Sequence, residues 1–139
     1  MGQTRRRLIM QTTPQERAEL ARHIEAIRFQ LPYPIAPLDG VRICWDNQDS
    51  SKRKGHGSTK LAYFTIFKPR QITLAGFGRH HLEGMVPWLA HELRHMWQYQ
   101  YLGCIGFMCV SIFRKWKLEP SAYAVTEAAE KLMMTTEKR

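Results

Sequence analysis

The chain has 139 residues, of which 44% are hydrophobic and 24% charged. That mix fits one globular domain and excludes a disordered, collagen-like or coiled-coil chain. No apolar run approaches the ~18 residues of a transmembrane helix, and no apolar stretch follows Arg5, Arg6 and Arg7 as a secretory signal requires. Twenty-one Lys and Arg against twelve Asp and Glu leave a net charge of +9, a field that draws nucleic acid and other polyanions and also serves solubility. The three cysteines, Cys44, Cys104 and Cys109, are odd in number and form no CxxC pair, which predicts reduced thiols and a cytoplasmic setting.

In chain order, residues 1–12 read as a basic arm and residues 13–139 as a single domain. Thr13-Pro14-Gln15-Glu16 is a helix start: Thr13 caps, Pro14 suits the first helical position and Glu16 closes a capping box. Leu20, Ile24, Ile27 and Leu31 recur at helical spacing, and Pro32, Pro34 and Pro37 end the helix. Val41 to Trp45 reads as a strand, and Asn47 to Thr59 as a polar loop with basic residues Lys52, Arg53 and Lys54. Leu61 to Phe67 and Gln71 to Ala75 read as two further strands, giving an antiparallel meander. A helix is predicted from Val86 to Gln100, with Pro87 in its first turn. Leu102 to Phe113 is apolar and too short to span a bilayer, so it reads as a buried segment in which Cys104 and Cys109 pack. Glu119-Pro120 opens a last helix from Ser121 to Met134. The class is therefore α+β.

His91-Glu92-Leu93-Arg94-His95 is an HExxH motif. On a helix, residues i and i+4 share one face, so both imidazoles can bind one ion, and Glu92 can act as base on a water at the open side of the metal. With this chain's counts of His and Glu, a shuffled sequence contains the pattern roughly one to two times in a hundred. Two His and a carboxylate suit Zn2+. No His follows His95, so the third ligand comes from the downstream acids Glu119, Glu127, Glu130 and Glu137. Glu119 is the first of these and the one favoured, although a carboxylate at a helix start also suits the helix dipole.

These residues resemble the zincin metallopeptidases, specifically the gluzincins. His91, Glu92 and His95 match the motif, and Glu119-Pro120-Ser121-Ala122 resembles the family's ExxA segment on the following helix. The resemblance implies a zincin-like fold over roughly residues 41–134: a small, mostly antiparallel sheet, an active-site helix and a C-terminal helix carrying the third ligand. It implies a zinc-dependent peptidase that cleaves peptide or protein substrates, with His91, His95 and Glu119 as ligands. Glu92 would then act on a zinc-bound water and pass the proton to the leaving amine. Tyr123, four residues past Glu119 on the same helical face, is the expected oxyanion donor, with His80 and His81 as alternatives. Thr73, Leu74, Ala75 and Gly76 match by position the edge strand on which zincins lay extended substrate. Two positions depart from the family pattern. Arg94 is charged where an uncharged residue is usual, and Ala122 replaces an acidic partner for the first His, so His91 needs another acceptor.

Two other function classes arise. The HELRHMWQ stretch also resembles SprT-like proteins, which act on nucleic-acid-bound partners but usually use a third His. A non-catalytic, metal-stabilised binding domain is the other reading, and the general base Glu92 argues against it.

Overall fold

The capping box predicted at Thr13 forms in full and starts the first helix, α1 (Pro14–Ile27). Thr13 Oγ1 accepts the Glu16 N–H at 3.1 Å, and Glu16 Oε1 accepts the Thr13 N–H at 2.9 Å, which satisfies two otherwise orphaned donors. The computed structural model describes residues 9–46, 62–65, 68–113 and 115–137. Arg5, Arg6 and Arg7, the Lys52-Arg53-Lys54 loop and the side chains of Cys104 and Trp116 lie outside what is described. Leu20, Ile24 and Ile27 are buried as their spacing predicts. The helix gives way at Arg28–Gln30 to a 3-10 turn, so Leu31 lies beyond it.

The chain is α+β, with a four-stranded mixed sheet: β1 (Ile9–Gln11), β2 (Arg42–Asp46), β3 (Ala62–Thr65) and β4 (Lys68–Ala75). The spatial order is β1-β2-β4-β3. β1 was expected to belong to the arm. It instead pairs antiparallel with β2, and all three of its residues are exposed, so no apolar alternation marks it. The expected meander is also corrected. β2 and β4 run parallel, with Ile43 opposite Ile72 and Trp45 opposite Leu74, while β3 pairs antiparallel with the far side of β4. The physical reason lies in β4 itself. Its last four residues, Ile72 to Ala75, are all buried, and a run buried on both faces belongs inside a sheet rather than at its edge.

α2 (Leu82–Phe113) begins four residues earlier than its pattern suggests, so Pro87 sits inside it. It consists of two helical segments that meet at Gly103, whose φ of 76° and ψ of 170° only glycine adopts readily. From Met85 to Met96 every residue of the first segment except Trp88 is buried. Val86, Leu89, Leu93 and Met96 join Ile43, Trp45, Ile72 and Leu74 in one core with Leu20 and Ile24 of α1. Each such side chain contributes about 1.5–3 kcal/mol relative to exposure. Beyond Gly103 the expected burial fails: Ile105, Met108 and Cys109 are exposed, and Phe107 is the buried one among the described side chains. Phe107 turns in because it meets the Phe64 and Tyr99 rings edge-on, at 6.1 and 5.6 Å. Cys44 is a free, buried thiol.

α3 (Lys115–Glu137) starts well before Ser121 and contains Pro120. Glu119 is thus its fifth residue rather than its opening one, and the helix-dipole reading of that carboxylate falls away, since the effect fades after the first turn. Val125, Ala129 and Met133 fix α3 to the core. Among the described residues, no helix is long and apolar enough to cross a membrane.

Candidate metal centre

α2 carries a second stripe opposite its apolar face. His91, Arg94, His95 and Gln98 are all buried, and their i, i+3, i+4, i+7 spacing aims them at α3. There they meet Leu118, Glu119, Ser121, Ala122 and Thr126. His91, His95 and Glu119 each offer a ligand atom, and the three atoms lie within 4.8 Å of one another. His95 Nε2 is 3.0 Å from Glu119 Oε1, and His91 Nε2 is 3.7 Å from Glu119 Oε2. The three predicted ligands are therefore brought together by two helices.

The outer nitrogen of each imidazole is tethered. His91 Nδ1 lies 2.9 Å from Thr126 Oγ1, and that hydroxyl donates to the Ala122 carbonyl at 3.0 Å. A hydroxyl has one proton to give, so Thr126 accepts from His91 and the Nε2 lone pair points at the cluster. His95 Nδ1 lies 2.8 Å from Gln98 Oε1. Gln98 Nε2 donates to the Leu118 carbonyl at 3.1 Å and to Ser121 Oγ at 3.0 Å, which orients the amide with its oxygen toward His95. His95 thus also carries its proton on Nδ1 and leaves Nε2 for a ligand. Thr126 supplies the acceptor that Ala122 lacks. Sequence reasoning missed Thr126 and Gln98. Their signal was periodic: Gln98 is one turn past His95, and Thr126 is two turns past Glu119.

Arg94, the charged departure in the motif, has a structural role. Its Nε donates to Ser121 Oγ at 3.1 Å and one terminal nitrogen to the Pro34 carbonyl at 2.9 Å. Its guanidinium lies over the Trp97 and Tyr33 rings, 4.5 and 4.9 Å from their centroids. The proline-rich connection also donates the Ala36 N–H to the Leu93 carbonyl at 3.0 Å. The connection is therefore strapped against the motif turn through the Pro34 carbonyl and the Ala36 N–H, whereas α1 has already ended at Ile27, ahead of the first proline. Burial lowers the Arg94 pKa.

The two imidazoles titrate in opposite directions. Burial, reinforced by the charge of His95, pushes His91 down to about 4 against the pull of Glu119 and the Ala122 carbonyl. Burial also opposes a charge on His95, but the hydrogen bond to Glu119, the Glu92 charge and the Gln98 bond outweigh it and raise its pKa. The Glu119 carboxylate, 3.0 Å from His95 Nε2, therefore favours a proton at the nitrogen that would face an ion. Two tethered imidazole nitrogens and a carboxylate are a zinc-type donor set, and three protein ligands leave a fourth coordination position for water.

Glu92 is buried on the motif turn. Tyr123 is half exposed beside the cluster, with its ring edge-on to His91 at 5.0 Å, and Trp88 stands 6.0 Å from the same imidazole. His80 and His81 are exposed ahead of α2, and nine helical steps, ~14 Å, lead from Leu82 to His91. Neither is among the residues that the structure brings together at the cluster. The substrate-strand expectation for Thr73, Leu74, Ala75 and Gly76 is also corrected. β4 is flanked by β2 on one edge and β3 on the other, Thr73 and Leu74 are buried, and Gly76 begins the 3-10 turn Gly76–His80. Strand addition needs an unpaired edge, and among the described residues the outer strand on that side is β3. Comparison with protein-family models, curated proteins and solved structures found no match to the chain.

Proposed function

We propose that the chain is a zinc-dependent metallopeptidase with a zincin-like arrangement of α2 and α3. The observation that carries this reading is the convergence of His91, His95 and Glu119, with both imidazoles tethered at Nδ1 so that Nε2 faces the cluster. A divalent ion held there supplies Lewis acidity, lowering the pKa of a water and polarising a carbonyl. The chain's own residues do the rest. Glu92, one residue from the first ligand, takes a proton from the attacking water and delivers it to the leaving amine. Tyr123, exposed at the edge of the cluster, donates to the developing oxyanion. Thr126 and Gln98 hold the imidazoles in orientation, and Arg94 locks the motif turn to α3 and to the proline-rich connection.

The test is metal content followed by turnover. Wild-type protein loaded with zinc should cleave members of a peptide library. Glu92→Gln should retain the ion and lose cleavage by at least a hundredfold. Glu119→Ala should lose the ion from this site and with it activity. Zinc-loaded wild type that cleaves nothing, or cleavage that survives Glu92→Gln, would overturn the peptidase reading.

A further inference from the structure

We propose a second divalent-cation site, formed by Glu19, His23 and Glu83, that joins α1 to the start of α2. It goes beyond the proposed peptidase centre and does not depend on it. Glu19 and His23 stand one turn apart on α1, and Glu83 lies in the first turn of α2. One ligand atom from each lies within 4.8 Å of the other two. His23 Nε2 is 3.8 Å from Glu83 Oε1, beyond hydrogen-bond length. That nitrogen is also sealed from solvent and makes no hydrogen bond.

A buried imidazole nitrogen with no hydrogen-bond partner, in a cluster with two carboxylates, has its bonding unmet. A divalent ion meets it and offsets the repulsion between the two acids. The donor set of one nitrogen and two carboxylate oxygens favours a borderline ion such as Zn2+ over Mg2+ or Ca2+. Glu83 is only partly buried, so water can complete the shell. Eight helical steps, ~12 Å along α2, lead from Glu83 to His91, so the two clusters cannot share an ion. Its effect is to pin α1, whose Leu20 and Ile24 anchor the core, against the base of the motif helix.

The experiment is zinc titration of the wild type, Glu83→Gln, His23→Gln and Glu119→Gln, with circular dichroism to check folding. Zn2+ alone is the probe. The expected result is two ions per wild-type chain. Glu83→Gln and His23→Gln should each weaken one of them at least tenfold, and Glu119→Gln should weaken the other. Glu83→Gln, at a partly exposed position, keeps the test valid if His23→Gln does not fold. A single wild-type ion that is lost in Glu119→Gln and unaffected by Glu83→Gln overturns the second site and leaves the first standing. A single ion that is lost in Glu83→Gln and kept in Glu119→Gln supports the second site while the peptidase centre fails. No bound zinc in the wild type overturns both.

Discussion

Replacing Thr126 by Val tests whether the orientation of His91 matters to the metal centre. The change is nearly isosteric at a position that is 4% exposed, so it removes a hydroxyl and little else. The hydroxyl accepts His91 Nδ1–H at 2.9 Å and donates to the Ala122 carbonyl at 3.0 Å. A buried N–H left with no acceptor costs ~1–3 kcal/mol, and losing the outer partner of a ligating His typically costs 10–100-fold in metal affinity. Here the freed Ala122 carbonyl already attracts the same imidazole and takes over part of the bond. The expected loss in zinc affinity is therefore at the low end, about tenfold or ~1.4 kcal/mol. Competition against a chromophoric chelator measures it, with Thr126→Ser as the variant that keeps the hydroxyl. If Thr126→Val binds zinc within threefold of the wild type, or Thr126→Ser is as weak as Val, the tethering argument is wrong.

Zinc binding at the His91–His95–Glu119 centre, read in Glu83→Gln, should release protons near neutral pH, because the ion competes with the proton that Glu119 and Glu92 favour on His95 while His91, held at about 4, has none to give. Calorimetry in buffers of different ionisation enthalpy reads this, and release near zero contradicts it. Arg94→Met should destabilise the fold by about 2–4 kcal/mol in urea, since Ser121 and the Pro34 carbonyl lose a charged donor; a change under ~0.5 kcal/mol would show the strap to be dispensable. Partial burial pushes the Glu16 carboxyl up, but the Arg79 hydrogen bond at 2.6 Å, the Thr13 N–H, the Trp45 indole and the Arg79 charge outweigh it and bring it to about 2 from 4.5. A depressed carboxylate stabilises the fold above its unfolded pKa and loses that contribution as pH falls from about 4.5 toward 2. Glu16→Gln should then cost of order 1–2 kcal/mol at pH 7, discounted for solvent at Arg79, and flatten the acid limb of the stability curve. Parallel acid limbs for the two proteins would contradict this.

The sequence alone determined what rests on local rules. The α1 cap was legible because Thr13, Pro14 and Glu16 act within one turn. The apolar faces of α1 and the first part of α2 were legible from their period. The HExxH pair was legible because His91 and His95 share one face of a helical turn. Glu119 was found by elimination, since no His follows His95. What pairs or covers an element belongs to the tertiary structure. The parallel partnership of β2 and β4 needed a chain returning across the sheet, and the three-residue β1 is marked only by its partner. That placement took Thr73 to Ala75 away from any edge, and Gly76 out of the strand. Gly103 carried no apolar signal of the turn that leaves Ile105 and Met108 exposed. The tethers of His91 and His95 were decided at the same level. Thr126 lies 35 residues from His91, and only the packing of α3 on α2 brings its hydroxyl to the imidazole. Periodicity shows which face of a helix is apolar; which polar groups that face meets depends on the helix opposite.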